Sequence, residues 1–149
     1  MESTKSIIGT ILAIVVGVGV GIAGSQGEAQ IWGIPSFLLA VIGAYLIQWI
    51  AFIIAYRLKT EKFYDLTGSI TYISITTLLV LSIPQIDDRA VLLLVLVVVW
   101  AARLGTFLFT RVIKEGSDSR FEEIKVSFSR FLLTWTLQGL WVTFTAAAA

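Results

Sequence analysis

The absence of cysteine and histidine limits the chemistry that this chain can carry out. Without them it has no thiol nucleophile, no disulfide, no thiolate metal site and no imidazole to act as an acid or base near neutral pH. Acid–base chemistry must then use carboxylates, tyrosines, lysines, arginines or a bound cofactor. Two charged residues next to or within apolar runs, Asp65 and Arg103, are the first candidates.

Asp65 precedes an apolar run that is unusually rich in hydroxyl side chains, namely Thr67, Ser69, Thr71, Tyr72, Ser74, Thr76 and Thr77. One interpretation is structural: Asp65 caps a helix N-terminus, and the hydroxyls bond back to the helix backbone. The other is functional: the polar helix faces the bundle interior or a wet cavity, and Asp65 contacts a ligand. The sequence leaves both interpretations open.

Two further polar side chains lie inside apolar runs. Arg103 lies about two-thirds of the way along its run, where burying the charge in a membrane costs roughly 2.5–3.5 kcal/mol on insertion scales. We expect Arg103 to face a partner or a cavity, with Asp65 as its counter-ion. The alternative is that its long side chain extends to the cytoplasmic headgroups. Gln138 requires a hydrogen-bond partner on another helix or on a ligand.

A charged segment follows the run that contains Arg103. Its cations either meet the phosphates of a cofactor or of lipids, or anchor the chain at the membrane surface, and they are Arg111, Lys114, Arg120 and Lys125. Ser119-x-x-Glu122 is typical of a capping box and predicts a short interfacial helix that begins near Arg120. Gly116 permits the sharp turn before it.

These residues belong to a strongly apolar chain of 149 residues, of which 57% are hydrophobic and 14% charged, with a mean hydropathy of +0.90. A soluble domain of this length exposes too much surface to hide so much apolar area. The composition therefore excludes a cytosolic globular domain, a disordered chain and a secreted scaffold. No basic stripe with interleaved aromatic residues is present, so membrane lipid and not nucleic acid is the expected partner.

Five apolar runs are close to the roughly 20 residues that a membrane span needs, and they cover about 7–24, 32–56, 66–84, 90–110 and 126–149. In lipid, helices satisfy the backbone polar groups that an uncovered strand would leave unpaired. We predict an all-α multi-pass transmembrane bundle, with residues 1–149 as one domain. Gly17-x-x-x-Gly21 in the first run predicts close helix packing, and the overlapping GxGxxG pattern is not a dinucleotide site in this context.

The cations are distributed unequally between the two sides of the predicted bundle. One side has only Arg89, whereas nine cations lie at the N-terminus and in or beside the second and fourth connections: Lys5, Arg57, Lys59, Lys62, Arg111, Lys114, Arg120, Lys125 and Arg130. The positive-inside rule places these segments, including the N-terminus, in the cytoplasm. An alternative is that residues 1–24 are a cleaved signal peptide.

Four motifs together carry a family resemblance that covers about residues 45–149. They are Lys59-Thr-Glu-Lys-Phe-Tyr-Asp65-Leu-Thr-Gly-Ser, Arg103-Leu-Gly, Arg111-Val-x-x-Glu-Gly-x-Asp118-Ser-Arg120-Phe and Leu-Gln138-Gly-x-Trp141-Val. The chain resembles a bacterial membrane family of unknown function that is grouped with the steroid 5-alpha-reductases and the isoprenylcysteine carboxyl methyltransferases.

Members of the steroid-reductase branch are multi-pass enzymes that bind NADPH in the membrane and reduce a conjugated double bond. The resemblance implies that Asp65 lies at the position of a pocket glutamate and Arg103 at that of a pocket arginine. Trp100 lies at the position of a tyrosine three residues earlier, and Gln138 in a later Leu-Gln-Gly stretch.

The resemblance also implies roles for these residues. Its candidate catalytic residues are Asp65 and Trp100, and its candidate NADPH-binding residues are Arg103, Asp118, Arg120 and Gln138. An indole N–H donates a hydrogen bond but is not a usable acid, so the tryptophan cannot replace the tyrosine as a proton donor. Tyr72 could supply the missing hydroxyl.

The resemblance further implies that this chain corresponds to the N-terminal half of such a protein, in the bacterial inner membrane, either as a fragment or as a short relative. The cofactor-binding C-terminal half would then be absent, and the chain alone would be inactive. The leading function is NADPH-dependent reduction of a C=C bond in a lipophilic small-molecule substrate. The alternatives are methyl transfer from S-adenosylmethionine to a lipidic substrate, and a non-enzymatic protein that binds membrane lipid or a partner.

Overall fold

The computed structural model describes residues 1–27 and 30–148 and contains five long helices in that part of the chain. They are α1 (Glu2–Ala23), α2 (Ser36–Leu58), α3 (Tyr64–Ser82), α4 (Asp88–Glu115) and α5 (Phe128–Ala148). All five are long and apolar enough to cross a membrane. The predicted all-α multi-pass bundle is therefore confirmed.

A small hairpin delays the start of α2. Strands β1 (Gln30–Ile31) and β2 (Ile34–Pro35) pair antiparallel. At the turn between them Trp32 and Gly33 have φ values of 53° and 79°, and positive φ at both central residues is the requirement of a type I′ hairpin turn. The second helix consequently begins at residue 36, whereas the apolar run predicted a start near residue 32.

Helix α4 is longer than its apolar run predicted. The Asp87 carboxylate caps its N-terminus by accepting a hydrogen bond from the Ala90 backbone N–H at 2.8 Å. The helix continues for 28 residues to Glu115 and ends at Gly116, whose φ of 87° favours glycine. The extension through Glu115 moves Arg103 from the cytoplasmic part of the predicted run to nearly the middle of the observed helix.

Close contacts between small residues and aromatic side chains join α1 to α2. A Cβ atom on Gly17 would lie 2.0 Å from the Tyr45 hydroxyl oxygen, so only glycine admits this ring. The Tyr45 hydroxyl then donates to the Ala13 carbonyl oxygen at 2.6 Å. Gly21 likewise contacts side chains of α2. The predicted role of Gly17-x-x-x-Gly21 in helix packing is confirmed.

Helix α5 packs against α1, α2 and α3, whereas α4 packs mainly on α3. The burial of the helices reflects this difference. In α4 only 11% of the most apolar stretch is buried inside the bundle, whereas in the other four helices the share is 28–39%. An aromatic cluster fills one end of the bundle, with Phe52, Phe121, Phe131 and Trp135 among its buried members. Since Phe121 lies between α4 and α5, this cluster fixes that connection onto the bundle.

Candidate functional site

The α2–α3 and α4–α5 connections, both predicted to be cytoplasmic, meet at the end of the bundle that holds the aromatic cluster. Glu61 joins them: its Oε1 accepts a hydrogen bond from the Asp118 backbone N–H at 2.9 Å. Its Oε2 lies 3.2 Å from Lys125 Nζ. Glu61 is only 4% exposed, and a buried carboxylate requires such partners. The charged segments are therefore held in a defined arrangement.

Arg120 lies between two carboxylates at this end of the bundle. Its Nε is 3.0 and 2.9 Å from the two Asp118 carboxylate oxygens, and its Nη2 also contacts Asp118. The same Nη2 lies 3.5 Å from Asp65 Oδ2. The fork of a guanidinium suits such a bidentate contact. Three candidates from two distant parts of the sequence, Asp65 on one side and Asp118 and Arg120 on the other, thus form one charge cluster.

The capping predictions at this cluster were wrong in their details. Asp65 is not the N-cap of α3: that position is Phe63, without a side-chain cap, and Asp65 lies in the first turn with its carboxylate near Arg120. A short 3-10 helix does begin near Arg120, at Ser119–Phe121. Its cap is Asp118, which accepts from the Arg120 backbone N–H at 3.0 Å, so Ser119 does not form the predicted capping box.

The contacts between Asp118 and Arg120 stabilise the charged form of each. Hydrogen bonds from the Arg120 side chain hold the pKa of the Asp118 carboxyl below its ordinary value. The same hydrogen bonds raise the pKa of the Arg120 guanidinium. Both groups therefore remain ionised at neutral pH, and the cluster offers fixed charges of both signs.

Arg111, near the C-terminus of α4, adds a second guanidinium to the cluster. Its positive charge acts on both Asp65 and Asp118. Its Nε is buried and has no hydrogen-bond partner among the residues that the structure describes. A buried donor without a partner costs free energy, so this N–H is available to an acceptor from outside the described chain.

Hydroxyls and amides in the bundle interior differ in how they are satisfied. The Thr71 hydroxyl donates to the Thr67 carbonyl oxygen at 2.7 Å and accepts from Gln48 Nε2 at 2.9 Å. The amide orientation of Gln48 follows, and its Oε1 is left without a partner although Gln48 is fully buried. Gln138 Oε1 is also buried and unpartnered within residues 1–27 and 30–148. The structural interpretation of the α3 hydroxyls is thus confirmed for Thr71, but the amides remain open to a donor.

Trp100 contacts Tyr72, the residue that the sequence analysis named as a source of the missing hydroxyl. The rings of Trp100 and Tyr72 meet edge to face with centroids 5.1 Å apart. The Tyr72 hydroxyl lies 2.6 Å from Thr145 Oγ1 of α5. A phenol hydroxyl is therefore close to the indole, on α3 and not on α4.

Arg103 lies apart from the cluster. Ala101 and Gly105 on either side of it in sequence are buried, whereas Arg103 itself is exposed. A displacement of two residues turns a helix position by about 200°, so Arg103 points away from α3. The expected ion pair between Arg103 and Asp65 is not formed, because Arg103 faces away from α3, and Asp65 lies beside Arg120 instead.

Comparison with known proteins shows that residues 51–149 match the model of a family described as a protein of unknown function, DUF1295. The chain belongs to this family. No curated protein and no solved structure matches it. The match begins close to residue 45, where the sequence motifs placed the start of the resemblance, and it supports no particular activity.

The DUF1295 region contains every residue of the charge cluster, but the sequence did not single out all of them. Glu61 was seen only as a member of a charged connection, because nothing local distinguishes a buried carboxylate from a solvated one. Lys125 was named among the cations that meet phosphates or anchor the chain, but not as the partner of Glu61. Gln48 lies outside the DUF1295 region and was missed. Its signal was present nonetheless, since an amide in the middle of an apolar run requires a partner.

Proposed function

We propose that this protein is part of a membrane oxidoreductase that uses NADPH to reduce a C=C bond in a lipophilic substrate. The observation that carries the proposal is the cluster of Asp65, Asp118, Arg120 and Arg111 at the predicted cytoplasmic end of the bundle. A water-soluble cofactor reaches that end from the cytoplasm, and an apolar substrate reaches the bundle from the lipid.

The donor set fits the polar part of such a cofactor. Guanidinium groups bind phosphate in a bidentate manner, and Arg120 remains 59% exposed while Arg111 keeps a free Nε. Carboxylates accept hydrogen bonds from ribose hydroxyls, which suits Asp65 and Asp118. In this proposal the two arginines hold phosphate and the two aspartates hold sugar.

The interior beside the cluster suits the reduction itself. When bound, reduced nicotinamide supplies a hydride, and the second carbon of the double bond then needs a proton. Tyr72 lies seven residues after Asp65, on the same face of α3 and about 10 Å deeper. In our proposal its hydroxyl, next to Trp100 and Thr145, holds that proton. Gln138 Oε1 accepts a hydrogen bond from the cofactor or substrate.

The test is NADPH binding to the full-length protein in lipid nanodiscs, measured by calorimetry. We expect saturable binding that weakens about tenfold in the Arg120→Gln variant, because a charge-assisted contact is lost. The matched control is Lys114→Gln, which removes an exposed cation near the same end of the bundle. Absence of NADPH binding, or equal affinity in both variants, would overturn the proposal. Saturable binding of S-adenosylmethionine instead would favour methyl transfer.

A second candidate function, lipid binding without chemistry, is favoured by a cavity at the opposite end of the bundle. The cavity has a volume of about 870 Å³ and is lined mainly by apolar side chains, including Phe37, Leu79 and Leu93, with Arg89 as its cation. Apolar walls with few polar groups are typical of sites for lipophilic ligands. In this case the protein would retain lipid, would not bind NADPH and would tolerate Arg120→Gln.

A further inference from the structure

The outward face of α4 combines a long apolar surface with one charge. Leu96, Val99 and Phe107 are 58–63% exposed and flank Arg103 on this face. Such a surface is compatible with lipid on its own, but an arginine within it is not. The feature to explain is therefore the charge and not the apolar surface.

Arg103 cannot easily reach water from its position on the helix. From Arg103 the helix continues for about 18 Å to Glu115 and about 22 Å back to Asp88, at a rise of 1.5 Å per residue. A helix centred in the membrane would hold it about 15 Å from either headgroup layer. Side chains also tilt toward the helix N-terminus, which for α4 is the extracytoplasmic end. Extension toward the nearer, cytoplasmic headgroups is thus opposed by both distance and direction.

The described residues offer Arg103 no counter-ion. No ion pair or hydrogen bond joins its side chain to residues 1–27 or 30–148. The nine acidic residues that the structure describes lie at helix ends or in connections, and none of these nine lies in the middle of a span. A second copy of the described bundle would therefore bring no carboxylate to this depth. A symmetric contact between two α4 helices would even set two Arg103 side chains against each other.

We propose that the outward face of α4 binds a transmembrane helix of a partner protein, and that this helix carries an aspartate or glutamate at the depth of Arg103. The carboxylate forms an ion pair with the guanidinium, and the apolar side chains on either side exclude water and lipid from it. Charge complementarity selects this partner over lipid and over a second copy. The proposal does not depend on the cofactor.

The experiment places a photo-crosslinking amino acid at Val99 in the protein in its native membrane. The control is the same probe at Ile50 of α2, which is equally exposed at 60%. We expect the Val99 probe alone to yield a protein adduct whose crosslinked peptide, read by mass spectrometry, is an apolar span with a central carboxylate. Arg103→Leu should lower the yield about tenfold, whereas Arg103→Lys should keep it.

A charge exchange completes the test. Replacing the identified carboxylate with arginine should abolish the adduct, and combining that change with Arg103→Asp should restore it. Adducts with lipid alone, adducts with a second copy or with another segment of this same protein, no adduct, or a yield that does not change in Arg103→Leu would each overturn the proposal. A crosslinked span without a carboxylate would overturn it as well.

Discussion

Arg120 and Arg103 are the same residue type in two regions of one bundle, and their surroundings differ in kind. Arg120 lies at the end of the bundle that is predicted to be cytoplasmic, between Asp118 and Asp65, with its charge matched by groups of the same chain. Arg103 lies near the middle of α4, faces outward and meets no carboxylate among the described residues. The first charge is satisfied by the fold, and the second requires something that the described fold does not provide.

This difference shows that depth and direction decide what an arginine does in a membrane protein. At the end of the bundle water and paired carboxylates both stabilise the charge, so a guanidinium there can remain partly free for a ligand. At mid-depth neither is available, and a lone charge is costly. The following predictions test this contrast, beginning with the largest expected effect.

Removing the Glu61 carboxylate, which joins the two charged connections, should lower the free energy of unfolding the most. Glu61→Ala leaves the Asp118 N–H without its acceptor and leaves the Lys125 ammonium with only the exposed Glu122 carboxylate, at 3.4 Å. We expect the free energy of unfolding in mixed micelles to fall by about 2–3 kcal/mol. Glu123→Ala removes an exposed carboxylate from the same connection and should change it by less than about 0.5 kcal/mol. Equal effects would mean that the cluster is not organised by Glu61.

Disturbing the contact between α3 and α4 should have the next largest effect. A Cβ atom on Gly105 would lie 2.5 Å from Ser69 Oγ, whereas one on Gly43 of α2 would meet no atom within 4 Å. We therefore expect Gly105→Ala to lower the free energy of unfolding by about 1–2 kcal/mol, and Gly43→Ala to lower it much less or to raise it. If the Gly105→Ala variant is as stable as the wild type, α4 must lie further from α3 than the structure shows.

Neutralising Arg120 and neutralising Arg103 should change the free energy of unfolding by different amounts. Arg120→Gln leaves Asp118 without its bidentate partner, so the free energy of unfolding of the purified chain should fall by about 1 kcal/mol after allowance for the exposure of Arg120. Arg103→Gln should change it by less than about 0.5 kcal/mol, because no described residue pairs with Arg103. If chemical unfolding shows a larger loss of stability in Arg103→Gln than in Arg120→Gln, the contrast between the two regions is wrong.

The smallest effect should appear in the pH dependence. Because Arg120 lowers the pKa of Asp118 in the folded protein, the stabilisation is present above the ordinary aspartate pKa of about 4 and is lost as the pH falls through the lower folded value. The difference in melting temperature between the wild type and Asp118→Asn should therefore shrink below about pH 4. A difference that stays constant down to pH 2 would contradict this assignment.

Much of the fold followed from the sequence because lipid imposes strict rules on length and polarity. The five spans and the packing role of Gly17 depend only on local composition and spacing, so they were predictable. The helix ends were less so: α2 starts late because of the hairpin turn at Trp32 and Gly33, and α4 continues into a charged segment as far as Gly116. Those ends depend on backbone conformation and capping contacts, which hydropathy does not report.

The sequence predicted which residues belong to the candidate site better than it predicted which of them form ion pairs. Asp65, Asp118 and Arg120 were all expected to matter, but the partner of Asp65 was expected to be Arg103. Sequence spacing gives the approximate depth of a residue in the membrane. By depth alone, either Arg103 or Arg120 could have reached Asp65 at the start of α3. Which way Arg103 points follows from the face on which α4 packs against α3, and that face is set by Gly105 and Ala101.

The sequence by itself determined that this protein is a multi-pass helical membrane protein, because no soluble fold could bury so many apolar residues. It also determined which polar residues would be costly, since each lies inside or beside an apolar run. Only the tertiary structure decided which charges neutralise each other and which amides remain unpartnered. The physical reason is that hydrophobic insertion depends on composition along the chain, whereas ion pairs and hydrogen bonds act over a few ångströms between segments far apart in sequence.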